Sequence, residues 1–166
     1  MKIIRTSLLA FVLLFFVTSC SKDDSLSDET NYSIDLNLAQ ETDWLFADDI
    51  LALINEHRTS IGLSTIERDQ QYASAYAVEH TKYMIENNRV NHDNFGSRSA
   101  ALKNKGAKRV GENVAYGYET ADKVVYAWLH SPAHKDIIEG DYTHSGFGVM
   151  QNDSGRFFFT QIFYSK

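Results

Sequence analysis

Residues 156–164 place large apolar side chains on both faces of one extended segment. Side chains of a strand alternate between its two faces. One face carries Phe157, Phe159, Gln161 and Phe163, and the other carries Phe158, Thr160, Ile162 and Tyr164. A strand that is apolar on both faces must be covered on both sides, so this segment predicts a sheet between two layers of other structure.

The remaining pattern indicates what those layers are. Residues 146–151 form a second apolar run, and Asn152-Asp153-Ser154-Gly155 between the two runs is a hairpin signature. Helical spacing predicts helices over residues 43–57, 70–88 and 96–105, one that starts after Thr120, and a short one after Ser131-Pro132. Residues 112–118 read as a short strand. Together these predict an α/β (α+β) fold, a three-layer α-β-α sandwich with a central, mainly antiparallel sheet flanked by helices.

The first residues have the pattern of a secretory signal. Lys2 and Arg5 form a basic start, and the apolar run over residues 8–17 is shorter than the ~20 residues of a membrane span. Small residues precede Cys20, the only cysteine, so the segment resembles a bacterial lipobox in which that thiol is lipidated. The alternative is ordinary signal cleavage beside an incidental cysteine.

The residues after Cys20 are polar and acidic, with too little apolar surface to fold alone. Their Ser-Lys-Asp-Asp start resembles the surface-export signal of Bacteroidetes-type lipoproteins. We therefore expect a lipoprotein signal peptide over residues 1–19, a flexible tether with lipidated Cys20 over residues 20–43, and a folded domain over residues 44–166. This predicts a bacterial outer-membrane lipoprotein, held to the membrane through Cys20 and exposed at the cell surface.

The charge balance argues against nucleic acid as a partner. Without residues 1–19 the chain has 14 basic and 22 acidic residues, a net charge of −8 with neutral histidines, since Lys2 and Arg5 leave the total of 16. An acidic chain without a basic stripe does not present a phosphate-binding surface.

Three short segments carry most of the polar chemistry of the folded part. Residues 91–95 contain His92, residues 111–115 contain Glu112, and residues 128–134 contain His134. Two neutral imidazoles and a carboxylate suit Zn²⁺ and leave open positions for water. Because these three residues are far apart along the chain, a second interpretation stays open. In it, His92 is a loop residue, Glu112 pairs with a nearby cation, and His134 caps a helix.

The residues around these three resemble a known family. Gly111-Glu112-Asn113-Val114-Ala115, Trp128 with Ser131-Pro132-Ala133-His134, and Gly146-Phe147-Gly148-Val149 are similar to motifs of the CAP superfamily. That superfamily comprises the cysteine-rich secretory proteins, antigen 5, pathogenesis-related 1 and bacterial SCP-like domains. The resemblance spans residues 50–164 and implies the same α-β-α sandwich.

The resemblance also implies a cleft. In the family two histidines and two acidic residues line it, and it often binds a divalent ion. His92, Glu112 and His134 match three of these positions, whereas the fourth, three residues after Trp128, is Ser131. The missing carboxylate implies weaker cation affinity at His92, His134 and Glu112, and one candidate general base fewer.

The other histidines have simpler expected roles. His57 and His80 lie on apolar helix faces, which predicts core or boundary positions. His130 and His144 are nearer to the cleft segments in sequence, and either could replace the missing ligand.

Three functions are compatible with these residues. The first is a non-catalytic binding module that takes a small hydrophobic ligand or a protein partner. The second is a metal-dependent hydrolase in which a bound cation such as Zn²⁺ activates water and Glu112 is the candidate catalytic base. The third is a purely structural cluster. Ser131 in place of an acidic residue, together with the lack of an evident nucleophile, favours the binding module.

Overall fold

Helices and strands are interspersed along the part of the chain that the structure describes. The computed structural model describes residues 32–166, which form one compact unit, Tyr32–Lys166. The elements in order are a 3₁₀ helix (Leu36–Glu41), α1 (Trp44–Ser60), β1 (Glu67–Arg68), α2 (Tyr72–Glu86), α3 (Phe95–Asn104), β2 (Arg109–Tyr116), α4 (Ala121–Leu129), α5 (Pro132–Ile138), β3 (His144–Gln151) and β4 (Phe157–Ser165). The predicted signal peptide, Cys20 and the tether up to residue 31 lie outside the described residues. Between residues 32 and 166, none of the helices has the length and apolar character needed to cross a membrane.

The four strands form one sheet in the order β1-β3-β4-β2. β4 pairs antiparallel with both β2 and β3, and β1 alone is parallel to its neighbour β3. One apolar cluster joins one face of the sheet to α1, α4 and α5, and another joins the opposite face to α2 and α3. The predicted three-layer α-β-α sandwich with a mainly antiparallel sheet is therefore confirmed.

β4 is buried on both faces, as its sequence predicts. Phe159 and Phe163 pack in the cluster of α1 and α4, and Ile162 and Tyr164 pack in the cluster of α2 and α3. All four residues are buried, with at most 5% of their surface exposed. Burial of one such side chain stabilises the fold by about 1.5–3 kcal/mol, so β4 is the centre of the core.

The glycines of β3 allow close packing of α2. A Cβ at Gly146 would collide with the main chain at Ala73 and Ser74, and a Cβ at Gly148 would collide with the carbonyl of Ala77. These positions must therefore lack a side chain for α2 to lie this close to the sheet.

Side chains cap two helices at their starts, and one of them, Thr120, is the cap that the sequence predicts. The Asp43 carboxylate accepts a hydrogen bond from Phe46 N at the start of α1, and the Thr120 hydroxyl accepts one from Lys123 N at the start of α4. At α5, Ser131 is the N-cap residue and Pro132 follows it, but the Ser131 side chain makes no capping hydrogen bond.

The compact unit begins at Tyr32, earlier than the boundary that we expected at residue 44. Tyr32 and Ile34 pack against the cluster of α2 and α3, and Ala39 of the 3₁₀ helix is fully buried. Thr42 Oγ1 accepts a hydrogen bond from Val149 N at 2.7 Å. Residues 32–43 are therefore part of the folded unit, because they close one edge of the sheet, and the predicted flexible tether does not extend through them.

Candidate functional site

The site is built across β2, the strand at the edge of the sheet. Neighbouring residues of a strand point to opposite faces. Glu112 faces the layer of α3, where it contacts Arg98, and Asn113 faces the layer of α5, where its Nδ2 donates to His134 O at 3.2 Å. Two adjacent residues of one motif thus connect the edge strand to both helical layers.

Glu112 is held in a buried ion pair. Arg98 Nε donates to Oε2 at 2.8 Å, and Arg98 Nη2 donates to Oε1 at 2.9 Å. The Glu112 side chain is 1% exposed and that of Arg98 is 6% exposed. Such a bidentate pair uses both carboxylate oxygens and neutralises the charge.

His92 completes this arrangement. Its Nδ1 lies 2.8 Å from Glu112 Oε1. Because a carboxylate only accepts hydrogen bonds, Nδ1 carries the hydrogen, and Nε2 is the ring nitrogen available to a ligand. The side chain is 49% exposed, so His92 extends from the buried ion pair toward solvent.

The loop that carries His92 is shaped by its own polar residues. Asn91 Oδ1 accepts a hydrogen bond from Asp93 N at 2.9 Å, and Asn94 adopts the left-handed conformation with φ of 60°. Asn tolerates that conformation better than most residues. Arg98 Nη1 donates to Asp93 O at 2.8 Å, so the same arginine fixes both the loop and Glu112.

His80 lies beneath this loop. Its Nε2 donates to the Asn91 carbonyl at 2.8 Å, and the residue is buried. Burial lowers the pKa of His80, and the nearby Arg98 charge lowers it further. The predicted core role of His80 is confirmed, and this histidine supports the position of His92 through Asn91.

His134 approaches from the other layer. His134 lies in α5, which begins at Pro132. The Asn113 side chain donates a hydrogen bond to the main-chain carbonyl of His134. Burial lowers the pKa of His134, and the charge of nearby His92 lowers it further. The two histidines therefore lie on either side of β2, near enough to interact electrostatically, and His134 is protonated less readily than a free imidazole.

Trp128 connects α4 to the same strand. Its Nε1 donates to Val114 O at 3.2 Å, and the ring is almost fully buried. Trp128 thus fixes α4, and with it Ser131 and α5, against the outer side of β2.

The residues present do not fit a zinc centre with His92, His134 and Glu112 as its three ligands. Among residues 32–166, no group of three or more His, Cys, Asp or Glu side chains has a geometry that could hold a metal ion. Both oxygens of Glu112 already accept hydrogen bonds from the Arg98 guanidinium, and the Ser131 side chain is uncharged. A catalytic zinc site needs three protein ligands, whereas His92 and His134 supply two nitrogens.

The other histidines have partners away from the cleft. His57 Nε2 lies 2.8 Å from Glu139 Oε1 at a half-buried boundary, as predicted. His130 stacks on the Tyr126 ring at 3.8 Å. His144 stacks on Tyr164 at the first residue of β3, which β4 separates from β2. Neither His130 nor His144 replaces the missing acidic residue.

Arg98 is the residue that the sequence interpretation missed. A signal for it exists, because Arg98 lies three and four positions before Ala101 and Leu102, on the buried face of α3. A charged residue on a buried helix face is seldom unpaired, so it predicts a buried partner of opposite charge.

The comparisons with known proteins agree with this fold. Residues 51–163 match the CAP, cysteine-rich secretory protein family, and the chain belongs to that family. It is 30% identical over 122 residues to the uncharacterized protein YkwD of Bacillus subtilis, covering 70% of this chain and 46% of that protein. The chain thus spans about half of the length of this curated relative.

Two solved structures are also similar. An outer surface protein of Borrelia burgdorferi is 25% identical with a TM-score of 0.65, and the match covers 74% of this chain and 93% of that one. An extracellular SCP-domain protein of Bacillus anthracis is 30% identical with a TM-score of 0.58, and the match covers 72% of this chain and 40% of that one. Both are described as proteins outside the cell or at its surface.

Proposed function

We propose that this CAP domain is a non-catalytic binding module of the bacterial cell envelope, and that the cleft between His92 and His134 takes its partner. The observation that carries the proposal is the commitment of Glu112. Its two oxygens accept three hydrogen bonds from Arg98 and His92, and its side chain is almost fully buried. A general base needs a carboxylate that reaches the proton it removes, and this one is 1% exposed with both oxygens hydrogen-bonded.

The cleft also lacks an activated nucleophile. Within the described part of the chain, no hydrogen bond joins the Ser131 hydroxyl to a histidine, and the one cysteine of the chain is the predicted lipid site. A serine nucleophile requires a base in hydrogen-bond contact. The proposal therefore assigns His92 and His134 to binding a partner and Glu112 to positioning His92.

A turnover assay tests this function against a metal-dependent hydrolase. The full chain is incubated with panels of ester, peptide, phosphoester and glycoside substrates, with and without Zn²⁺. We expect the same background rate for the unaltered chain and for the His92→Ala/His134→Ala variant. Turnover that depends on both histidines would refute the proposal.

The cell-envelope location rests on the sequence and on the relatives. We propose that Cys20 is lipidated and holds the domain on the outer surface of the outer membrane. Labelling with an alkyne fatty acid should mark the unaltered chain and not the Cys20→Ser variant. Protease treatment of intact cells should then remove the domain, and its protection from the protease would contradict surface display.

A further inference from the structure

The register of the sheet shows which main-chain groups of β2 point away from β4. In an antiparallel pair, residues that bond to the partner strand alternate with residues whose N–H and C=O point away. Gly117 N donates to Phe157 O at 2.8 Å, and the register continues as Asn113 opposite Gln161. Odd-numbered residues of β2 therefore bond to β4, while the main-chain groups of Val110, Glu112, Val114 and Tyr116 point outward.

Few hydrogen bonds of the protein reach these outward groups. Among residues 32–166, the one hydrogen bond to them is Trp128 Nε1 to Val114 O. Glu112 is 6% exposed as a whole residue although its side chain is 1% exposed, so most of its remaining exposure belongs to the main chain. The N–H and C=O of Val110 and Glu112 thus have no hydrogen-bond partner in the part of the chain that the structure describes.

The opposite edge of the sheet is closed in contrast. Beyond the short strand β1, Phe147 N donates to Ser74 Oγ at 2.9 Å, and Val149 N donates to Thr42 Oγ1 at 2.7 Å. Val149 O accepts from Asp43 N at 2.9 Å. An open strand edge is a template for pairing with another chain, and proteins usually cover it. This chain closes the β3 edge with specific groups and leaves Val110 and Glu112 of the β2 edge without hydrogen-bond partners within the described residues.

The free edge lies between the two helical layers, where His92 and His134 flank it. We propose that this edge binds an extended peptide of a partner protein as an added strand, paired with the main chain of Val110 and Glu112. This inference rests on the proposed function and names the partner class of the same cleft. Addition of a strand to a free edge is a common mode of peptide recognition, in which main-chain hydrogen bonds supply affinity.

The surroundings define the peptide. Because Arg98 and Glu112 neutralise one another, the edge of β2 beside them is suited to an uncharged main chain. Residues 110 and 112 are about 7 Å apart along the strand, which matches two alternate residues of an extended peptide. Trp128 occupies Val114 O, so the pairing stretch ends there, and its length suits a segment of about three to five residues.

A main-chain donor can be removed by one substitution. Val110→Pro deletes the outward N–H and leaves the bonds of β2 to β4 intact, because proline is tolerated where a strand's N–H faces solvent. Val110→Ala is the matched control, since it shortens the same side chain and keeps the N–H. Thermal melting of both variants checks that they fold.

The probe is a random peptide library displayed on phage and selected on the full chain. We expect selected peptides to bind Val110→Pro about tenfold more weakly than the unaltered chain, because one main-chain hydrogen bond is lost. They should bind Val110→Ala almost as well as the unaltered chain. Hydrogen exchange should show that the amides of Val110 and Glu112 become protected by the peptide. N-methylation should weaken binding only at alternate peptide residues.

Three results would overturn the inference. These are a selection that yields no binder, binders that Val110→Pro does not weaken, and dimerisation of the chain through β2 in place of peptide binding. None of them depends on catalysis, so they are distinguishable from failure of the proposed function, which the turnover assay detects.

Discussion

Replacement of Arg98 by methionine tests the role assigned to Glu112. Arg98 makes contacts of 2.7 to 2.9 Å with both carboxylate oxygens, and both side chains are almost fully buried. Removing one partner of a buried ion pair leaves the other charge uncompensated, which costs about 3–5 kcal/mol of unfolding free energy. We expect a loss of that size for Arg98→Met.

Two variants control this experiment. Arg98→Met/Glu112→Leu removes both charges, and we expect it to recover most of the stability, because apolar replacement of a whole buried pair is often neutral. Arg89→Met removes the exposed pair of Arg89 with Asp93, whose side chains are 65% and 40% exposed. Exposed pairs contribute about 0–1 kcal/mol, so this variant should resemble the unaltered chain.

Urea denaturation followed by circular dichroism at neutral pH gives all four free energies of unfolding. Measurement of Glu112→Leu alone then completes a double-mutant cycle, which isolates the coupling between Arg98 and Glu112. If Arg98→Met cost less than about 1 kcal/mol, as for an exposed pair, the carboxylate would be solvated and free to act in the cleft. That result would refute the reasoning.

Three further predictions concern other parts of the molecule. The pKa values of His80 and His134 in the native chain lie below the ordinary 6.5. The unfolded chain therefore binds more protons than the native chain as acid is added. The contribution of the two histidines to stability is full above about pH 6.5 and is lost progressively below it. Thermal melts across this range should show that the melting temperature falls on acidification, and that it falls less for His80→Gln. A melting temperature that rises on acidification would contradict this prediction. Arg58 is buried and donates to four main-chain carbonyls, two of them beside the end of α5. Urea denaturation should show that Arg58→Met lowers the free energy of unfolding by about 3–5 kcal/mol and that Arg58→Lys lowers it less. Equal losses for the two variants would show that the hydrogen bonds contribute little. Calorimetry with Zn²⁺ should show no saturable binding below about 1 mM, since two imidazoles lack the third ligand of a zinc site, and micromolar binding abolished by His134→Ala would contradict this.

The layers of the fold could be predicted because their signals are local. The two apolar faces of β4 require cover on both sides, and Asp43 and Thr120 cap helices through residues only three positions away. The strand β1 could not be predicted, because both of its residues are exposed and its bonds to β3 come from residues far along the chain.

The positions of the cleft residues could be predicted better than their chemistry. The sequence left two interpretations of Glu112 open, a metal ligand or a carboxylate paired with a cation, and the structure has the pair with Arg98. Arg98 reaches the buried Glu112 carboxylate only because α3 packs against β2. This tertiary contact leaves no periodic pattern in the sequence, so the partner of Glu112 could not be predicted. The free edge at Glu112 likewise emerges only from the strand order and register.

A crystal structure of the chain soaked in zinc chloride, with an anomalous difference map at the zinc edge, tests the central claim most directly. We predict that both oxygens of Glu112 remain on Arg98 and that no zinc ion lies on the carboxylate. A zinc ion bound by His92, His134 and Glu112, with Arg98 displaced, would contradict the account and restore a metal-dependent cleft.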